Sequence, residues 1–278
     1  MSWLLWLLVA GPIAIAASFL HAAPIVVFAA SAIAIIPLSS LLGTATEELS
    51  AHTGPTLGGL VNASLGNLAE LIIAIFALRA GLIDLVKASI TGSIIGNLLL
   101  VLGAAQLAGG LKYRTQKFNQ SFAGTSISLL VIAAVGLIVP TLFLAAHPDP
   151  ARAATERVSE FVAGFLIVGY VLFLLYSMGT HKSAFDALEE ETFDETPASS
   201  DAPTWSLKRT LIVLVVVAAA IGWMSELLVG ATESTVRTLG LSDVFVGLIL
   251  IPIIGNACLL YTSPSPRDTE RSRMPSSA

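Results

Sequence analysis

Apolar residues run along this chain in blocks of about twenty, separated by short polar stretches and free of the strict alternation that marks a half-buried strand. The blocks fall at 3–20, 24–43, 57–79, 83–108, 121–146, 158–179, 207–229 and 241–257. Each is close to the length a helix needs to cross a hydrocarbon core of about 30 Å. The pattern predicts an all-α polytopic membrane protein. The first block is followed by HAAP (His21 to Pro24), as at the end of a cleaved leader, but no basic residue precedes its apolar run. A leading membrane helix is therefore expected over 1–23.

One block breaks its own pattern. Gly58 to Gly81 reads GGLVNASLGNLAELIIAIFALRAG and carries Asn62, Ser64, Asn67 and Glu70 in its middle. A charged side chain at membrane depth costs about 2.5–3.5 kcal/mol even on a lenient scale. Read as one helix, the block places Asn62, Gly66 and Glu70 on a single i, i+4, i+8 stripe with Asn67 beside it. Its glycines allow a neighbouring helix to approach or the helix to break and free carbonyls. Carboxylate, amide carbonyl and backbone carbonyl are hard oxygen ligands of the kind Ca²⁺ gathers, about six to eight at a time. The plainer fates of Glu70 are an ion pair or protonation. No Lys or Arg occupies the centre of any block, which disfavours the pair. Protonation stays open, and a carboxylate that takes either a proton or a cation couples the two.

The following block repeats the theme as ASITGSIIGN (88–97), in which Ser89, Ser93 and Asn97 form another such stripe. Small and hydroxyl residues also serve as packing glue between membrane helices, so this stripe reads either as glue or as lining of a site or pathway.

An internal repeat is visible. GGLVNASLGN (58–67) and GLILIPIIGN (247–256) share a glycine, seven residues and then Gly-Asn, ending at Gly66–Asn67 and Gly255–Asn256. TEEL (Thr46 to Leu49) lies upstream of the first copy and SELL (Ser225 to Leu228) upstream of the second. The two copies are an odd number of blocks apart, so they face opposite ways across the membrane. That is the inverted-topology repeat of secondary transporters, which bind near the midplane where the repeats meet. The matched positions mark Glu47 and Glu226 as proton-linked or access carboxylates, with Glu233 less favoured. Glu48 reads as a solvated helix end.

Composition agrees and excludes alternatives. The chain has 278 residues, 55% hydrophobic and 12% charged, where soluble domains carry about 25% charged residues. The net charge of −5 gives no footprint for nucleic acid. The single cysteine, Cys258, offers neither a disulfide nor a thiolate metal site, and the four histidines (21, 52, 147, 181) fall in loops. The stretch 181–206 is rich in Asp and Glu and reads as a cytoplasmic linker or a regulatory, cation-gathering segment. Lys112, Arg114, Lys117, Lys182, Lys208 and Arg209 on one side outnumber Arg79, Lys87, Arg152 and Arg157 on the other, which places the N-terminus in the cytoplasm.

After Ala257 the membrane pattern stops. CLLYTSPSPRD (258–268) resembles the translation of a transposon-end adapter used in sequencing libraries, so 258–278 is expected to be non-native and the native frame to continue differently. Re-amplification of the source gene tests this.

GGLVNASLGNLAELIIAIFAL, SITGSIIGNLLLVLGAAQLAGGLKYRTQKFN and FVGLILIPIIGNA together resemble the Ca²⁺/H⁺ antiporters, the cation/proton exchanger branch of the Ca²⁺/cation antiporter superfamily. The resemblance implies a leading helix followed by inverted-topology five-helix repeats. Here the first repeat spans 24–180 and the second begins at 207–257 and is incomplete. It implies Glu70 and Asn67 as Ca²⁺ ligands from the first repeat and Asn256 from the second, and Asn62, Gly66, Ser89, Ser93, Asn97 and Gly255 as site or pathway lining. Leu68 stands where the family has Ala, and the second motif's Glu is missing. The implied function is Ca²⁺/H⁺ exchange by alternating access in a prokaryotic inner membrane, with no cofactor and with Ca²⁺ and protons as substrates. The 278-residue product is expected to be inactive alone. Na⁺ coupling or another divalent cation fits the same architecture. An intramembrane enzyme fits poorly, because HExxH is absent and no aspartate occupies the centre of a block.

Overall fold

The computed structural model describes residues 6–53, 55–112, 120–147, 153–176 and 203–256. The acidic stretch as far as residue 202 and the tail 258–278 lie outside the described residues. Among the described residues the regular structure is all helical. The helices are α1 (Leu7–Phe19), α2 (Pro24–Thr53), α3 (Pro55–Leu65), α4 (Leu68–Arg79), α5 (Ile83–Leu111), α6 (Gln120–Ala146), α7 (Ala153–Leu175) and α8 (Leu207–Leu239). The last, α9, is a short turn at Asp243–Phe245 followed by π-helix at Val246–Leu250 and α-helix at Ile251–Gly255. A second π-helical turn, Asn97–Val101, interrupts α5. Five helices are long and apolar enough to span a membrane: α2, α5, α7, α8 and the Ile127–Ala146 part of α6. Large apolar side chains such as Leu99 and Phe161 stand 73% and 79% exposed, as a surface solvated by lipid requires.

Three departures from the expected spans matter. The block 57–79 is two half-helices rather than one, with the break at Gly66–Asn67. The block expected at 24–43 runs on to Thr53, and that expected at 207–229 runs on to Leu239. Periodicity tracks apolar content, and both extensions are amphipathic continuations that expose Glu47, Glu233 and Arg237 while burying Thr46, Thr232 and Thr235. α8 then ends at Gly240, whose φ of 65° suits a residue without a side chain.

The chain divides into two units, Met1–Arg114 with Ser199–Ala278, and Thr115–Ala198. In the second unit, α6 packs on α7 where Gly136 leaves room for Leu166. In the first, α2 and α8 run antiparallel: Glu48 near the end of α2 meets Trp205 at the start of α8, and Ala34 and Met224 both border Gly11 of α1. Their core joins Ala34, Ile35, Met224 and Leu228 to Ala14 and Ala17 of α1. A second cluster, Leu42, Val217 and Ile221, takes in Ala69 of α4.

α5 and α9 cross on bare glycine. A Cβ on Gly92 would run into the Leu248 carbonyl, and one on Gly247 would lie 2.7 Å from the Leu85 carbonyl. Backbone cannot step aside as a flexible side chain can. Gly92→Ala is therefore expected to destabilise the protein by about 1–3 kcal/mol, read as a lower thermal midpoint in detergent. Gly96→Ala, one turn on and facing open space, is expected to leave the midpoint unchanged or raised. Equal midpoints for Gly92→Ala and wild type would refute the close crossing.

Candidate cation site

The break at Gly66–Asn67 sets up the site. Because α3 stops at Leu65 and α4 starts at Leu68, Glu70 lies in the first turn of a new helix. The N–H groups at a helix start carry partial positive charge and favour a nearby carboxylate by about 0.3–1 kcal/mol. Half-helix ends of this kind are how membrane transporters present backbone dipoles at depth.

The remaining support comes from α5 and α9. Ser93 Oγ lies 2.8 Å from Glu70 Oε1 and 3.0 Å from Oε2, donating to the carboxylate. Asn256 Nδ2 donates to Glu70 Oε1 at 2.6 Å and to Ser93 Oγ at 3.1 Å, which uses both amide hydrogens. Asn97 Nδ2 reaches Ser93 Oγ at 3.5 Å. Ser93 and Asn256 are buried and Glu70 is half-buried. A hydrogen bond to a charged group contributes about 1.5–3 kcal/mol, so two of them match the cost of a carboxylate at depth. Among the described residues the ion pair is Arg237 with Glu233, at 2.6 Å and exposed, so no cationic side chain balances Glu70. One acceptor is left over. Asn97 Oδ1 is buried and has no hydrogen-bond partner among the described residues.

Gly255 makes the approach possible. A Cβ there would sit 2.8 Å from Glu70 Cγ and 3.3 Å from Oε1. Beside the cluster, a cavity of ≈ 370 Å³ opens between α5 and α9, lined by Gly92, Gly96, Asn97, Leu248, Pro252 and Asn256 among others. Both π-helical turns border it, and π-helix is rare and concentrated at functional sites.

The structure therefore brings Glu70, Ser93, Asn97, Gly255 and Asn256 together. It does not join the others to them. The expected stripe of Asn62, Gly66 and Glu70 is interrupted by the break, and Asn62 lies exposed on α3. Asn67 is the N-cap of α4, with an exposed side chain that makes no cap bond. Ser89 borders the α5–α9 crossing through its backbone nitrogen and is half-buried, outside the network. Glu47 and Glu226 are exposed, and with α2 and α8 longer than expected both lie inside their helices rather than at the ends. Their neighbours Thr46 and Ser225 are fully buried, so the two matched motifs set hydroxyl inward and carboxylate outward alike. Glu233 pairs with Arg237, and Glu48 is no free helix end but accepts hydrogen bonds from Thr204 and Trp205. That role has no local signal, because the partners are more than 150 residues away. The π-helical turns and the break likewise had no signal beyond their glycines.

The two Gly-Asn motifs adopt one conformation. Asn67 has φ −99° and ψ 12°, and Asn256 has φ −93° and ψ 5°.

Ser93 is the junction of the network, whereas Ser89 one turn earlier is outside it. Ser93→Ala is expected to lower stability by about 1–3 kcal/mol, while Ser89→Ala stays within about 0.5 kcal/mol of wild type. Thermal midpoints of the two purified variants decide this, and indistinguishable values would count against the network.

Residues 23–179 match the family described as sodium/calcium exchanger protein. The chain is 41% identical over 260 residues to the Ca²⁺/H⁺ antiporter of Synechocystis sp., covering 90% of this chain and 70% of that one. It is 37% identical over 247 residues to the Ca²⁺/H⁺ antiporter ChaA of Bacillus subtilis, covering 88% and 68%. The solved structure of native YfkE superposes with a TM-score of 0.73 at 34% identity, over 92% of this chain and 70% of that one. The fold, with its multiple membrane helices, and this degree of identity lead to one assignment: the chain belongs to the sodium/calcium exchanger family, among its Ca²⁺/H⁺ antiporters.

Proposed function

We propose that this protein is a secondary active transporter that exchanges Ca²⁺ for H⁺ by alternating access, with Glu70 as the group that takes either cation. The observation that carries this reading is a carboxylate within a membrane-spanning bundle, held by neutral side chains from two other helices with no cationic partner among the described residues. Oxygen atoms of Glu70, Ser93, Asn97 and Asn256 supply the start of a Ca²⁺ shell, and the unpartnered Asn97 Oδ1 is an acceptor awaiting a cation or a water. Asn256 presents Nδ2 to the carboxylate; turning its amide over presents the carbonyl oxygen that a cation needs.

The matching Gly-Asn turns and the matched Thr46 and Ser225 support an inverted-repeat reading of 24–180 and 207–257. On that reading Asn67, Asn62, Gly66 and Ser89 line the approach to the site, and Glu47 and Glu226 are carboxylates of the access paths. The N-terminus and the segment 181–206 face the cytoplasm of a prokaryotic cell.

The test is uptake of radiolabelled Ca²⁺ by membrane vesicles carrying the source gene's own product, driven by an imposed ΔpH or an imposed Na⁺ gradient. ΔpH is expected to drive uptake and Na⁺ is not, and Glu70→Gln is expected to abolish it. Uptake by Glu70→Gln at the wild-type rate, or uptake driven only by Na⁺, defeats the proposal. Proton and Ca²⁺ compete for one carboxylate, so Ca²⁺ affinity is expected to fall as pH falls. Where the group is mostly protonated the fall approaches about tenfold per pH unit for each proton displaced. A Ca²⁺ affinity that stays flat from pH 8 to pH 5 contradicts the competition.

A further inference from the structure

Glu48 lies one turn before the end of α2, and both of its carboxylate oxygens are engaged. Oε1 accepts from the Thr204 hydroxyl and Oε2 from the Trp205 N–H at 3.1 Å. Those two residues lead directly into Ser206, whose Oγ accepts from the Arg209 N–H at 3.4 Å and caps α8. The Arg209 guanidinium lies over the Trp205 ring, 4.7 Å from its centroid. On the α2 side, His52 Nδ1 bonds to the Glu48 carbonyl at 2.8 Å. The entry of α8 is thus tied to α2 through one side chain.

The tie has a route to the site. Leu42 of α2 and Val217 and Ile221 of α8 form one cluster with Ala69, and Ile72 packs against it. Ala69 is the residue before Glu70, in the first turn of α4. A slip of one residue along a helix moves side chains by about 1.5 Å and turns them by about 100°, far more than bonds of the Glu70 network can absorb.

We propose that Glu48 is a positioning residue for the Glu70 site: it clasps the start of α8 to α2 and so fixes the register in which the two helices seat the first turn of α4. The proposal rests on the reading of the Glu70 cluster as a cation site, and its test is arranged to separate the two.

The experiment measures Ca²⁺ binding by the purified product of the source gene in detergent. Glu48→Ala and Thr204→Val are each expected to raise the Kd by about three- to tenfold, with the double variant no worse than Glu48→Ala. Glu48→Gln retains one acceptor and is expected to fall between. Thr204→Ser keeps the hydroxyl donor and is expected to retain wild-type affinity where Thr204→Val loses it, a contrast that general destabilisation does not produce. Unchanged affinity in a folded Glu48→Ala, or additive losses in the double variant, overturns the clasp. If the wild-type chain binds no Ca²⁺, the cation-site reading fails, and amide exchange still decides the clasp. Glu48→Ala is expected to speed exchange at residues 68–72 as well as at Trp205. Faster exchange confined to Trp205 refutes the coupling.

Discussion

A carboxylate at membrane depth must find hydrogen-bond donors, and in this protein the backbone around Glu70 is arranged to provide them without a cation. Three helices each give up some regularity to do so. The segment 55–79 gives up continuity, breaking at Gly66–Asn67 so that Glu70 joins a helix start rather than a helix middle. α5 gives up bulk at Gly92 so that α9 can lie against its backbone while Ser93 beside it reaches the carboxylate. α9 gives up a side chain at Gly255, which lets Asn256 come within 2.6 Å of Oε1. A side chain at Gly92 or Gly255 would collide with the facing chain and hold the donors away.

The same logic accounts for what surrounds the site. The long antiparallel pair α2 and α8 is closely packed, with Ile35, Leu42, Ile221 and Leu228 at or near zero exposure. α4 leans on that pair through Ala69 and Ile73, whereas α5 and α9 touch each other through glycine. The site therefore lies between a well-filled apolar wall and a thin glycine seam. The cavity and both π-helical turns are on the seam side, where little side-chain packing resists movement.

Much of this was legible in the chain. Block length and low charge content announced membrane helices, and a Glu in an apolar block with no basic residue at comparable depth singled out the candidate site. The spacing Gly-Asn-x-x-Glu marked Glu70, the stripe 89–93–97 marked Ser93 and Asn97, and the second Gly-Asn marked Asn256. What could not be read was conformation that periodicity does not encode. An unbroken apolar stretch looks the same whether its helix continues through Gly66 or restarts after it. Asn67 reads as a neighbour of Glu70 because three residues separate them in one helix; once the helix restarts at Leu68, Asn67 becomes a cap position with an exposed side chain. Glu48 was invisible for a different reason. Its partners Thr204 and Trp205 are remote in sequence and belong to a segment whose only signal was acidity.

The choice of neutral partners is the last link. A Lys or Arg beside Glu70 would satisfy it more strongly, but an ammonium or guanidinium group can only donate. A hydroxyl and an amide can do either. Ser93 donates to the carboxylate here and accepts from Asn256 at the same time, and Asn256 offers an N–H or, turned over, a carbonyl. Partners of this kind serve a bare carboxylate as donors and a cation-bearing or protonated one as acceptors, with no charge to expel between the states. A fixed ion pair would hold one state and resist the other. The spare acceptor on Asn97 adds to the side of the balance that a cation fills. On the exchange reading, the lack of a positive charge beside Glu70 among the described residues is therefore what lets one carboxylate alternate between two cargoes.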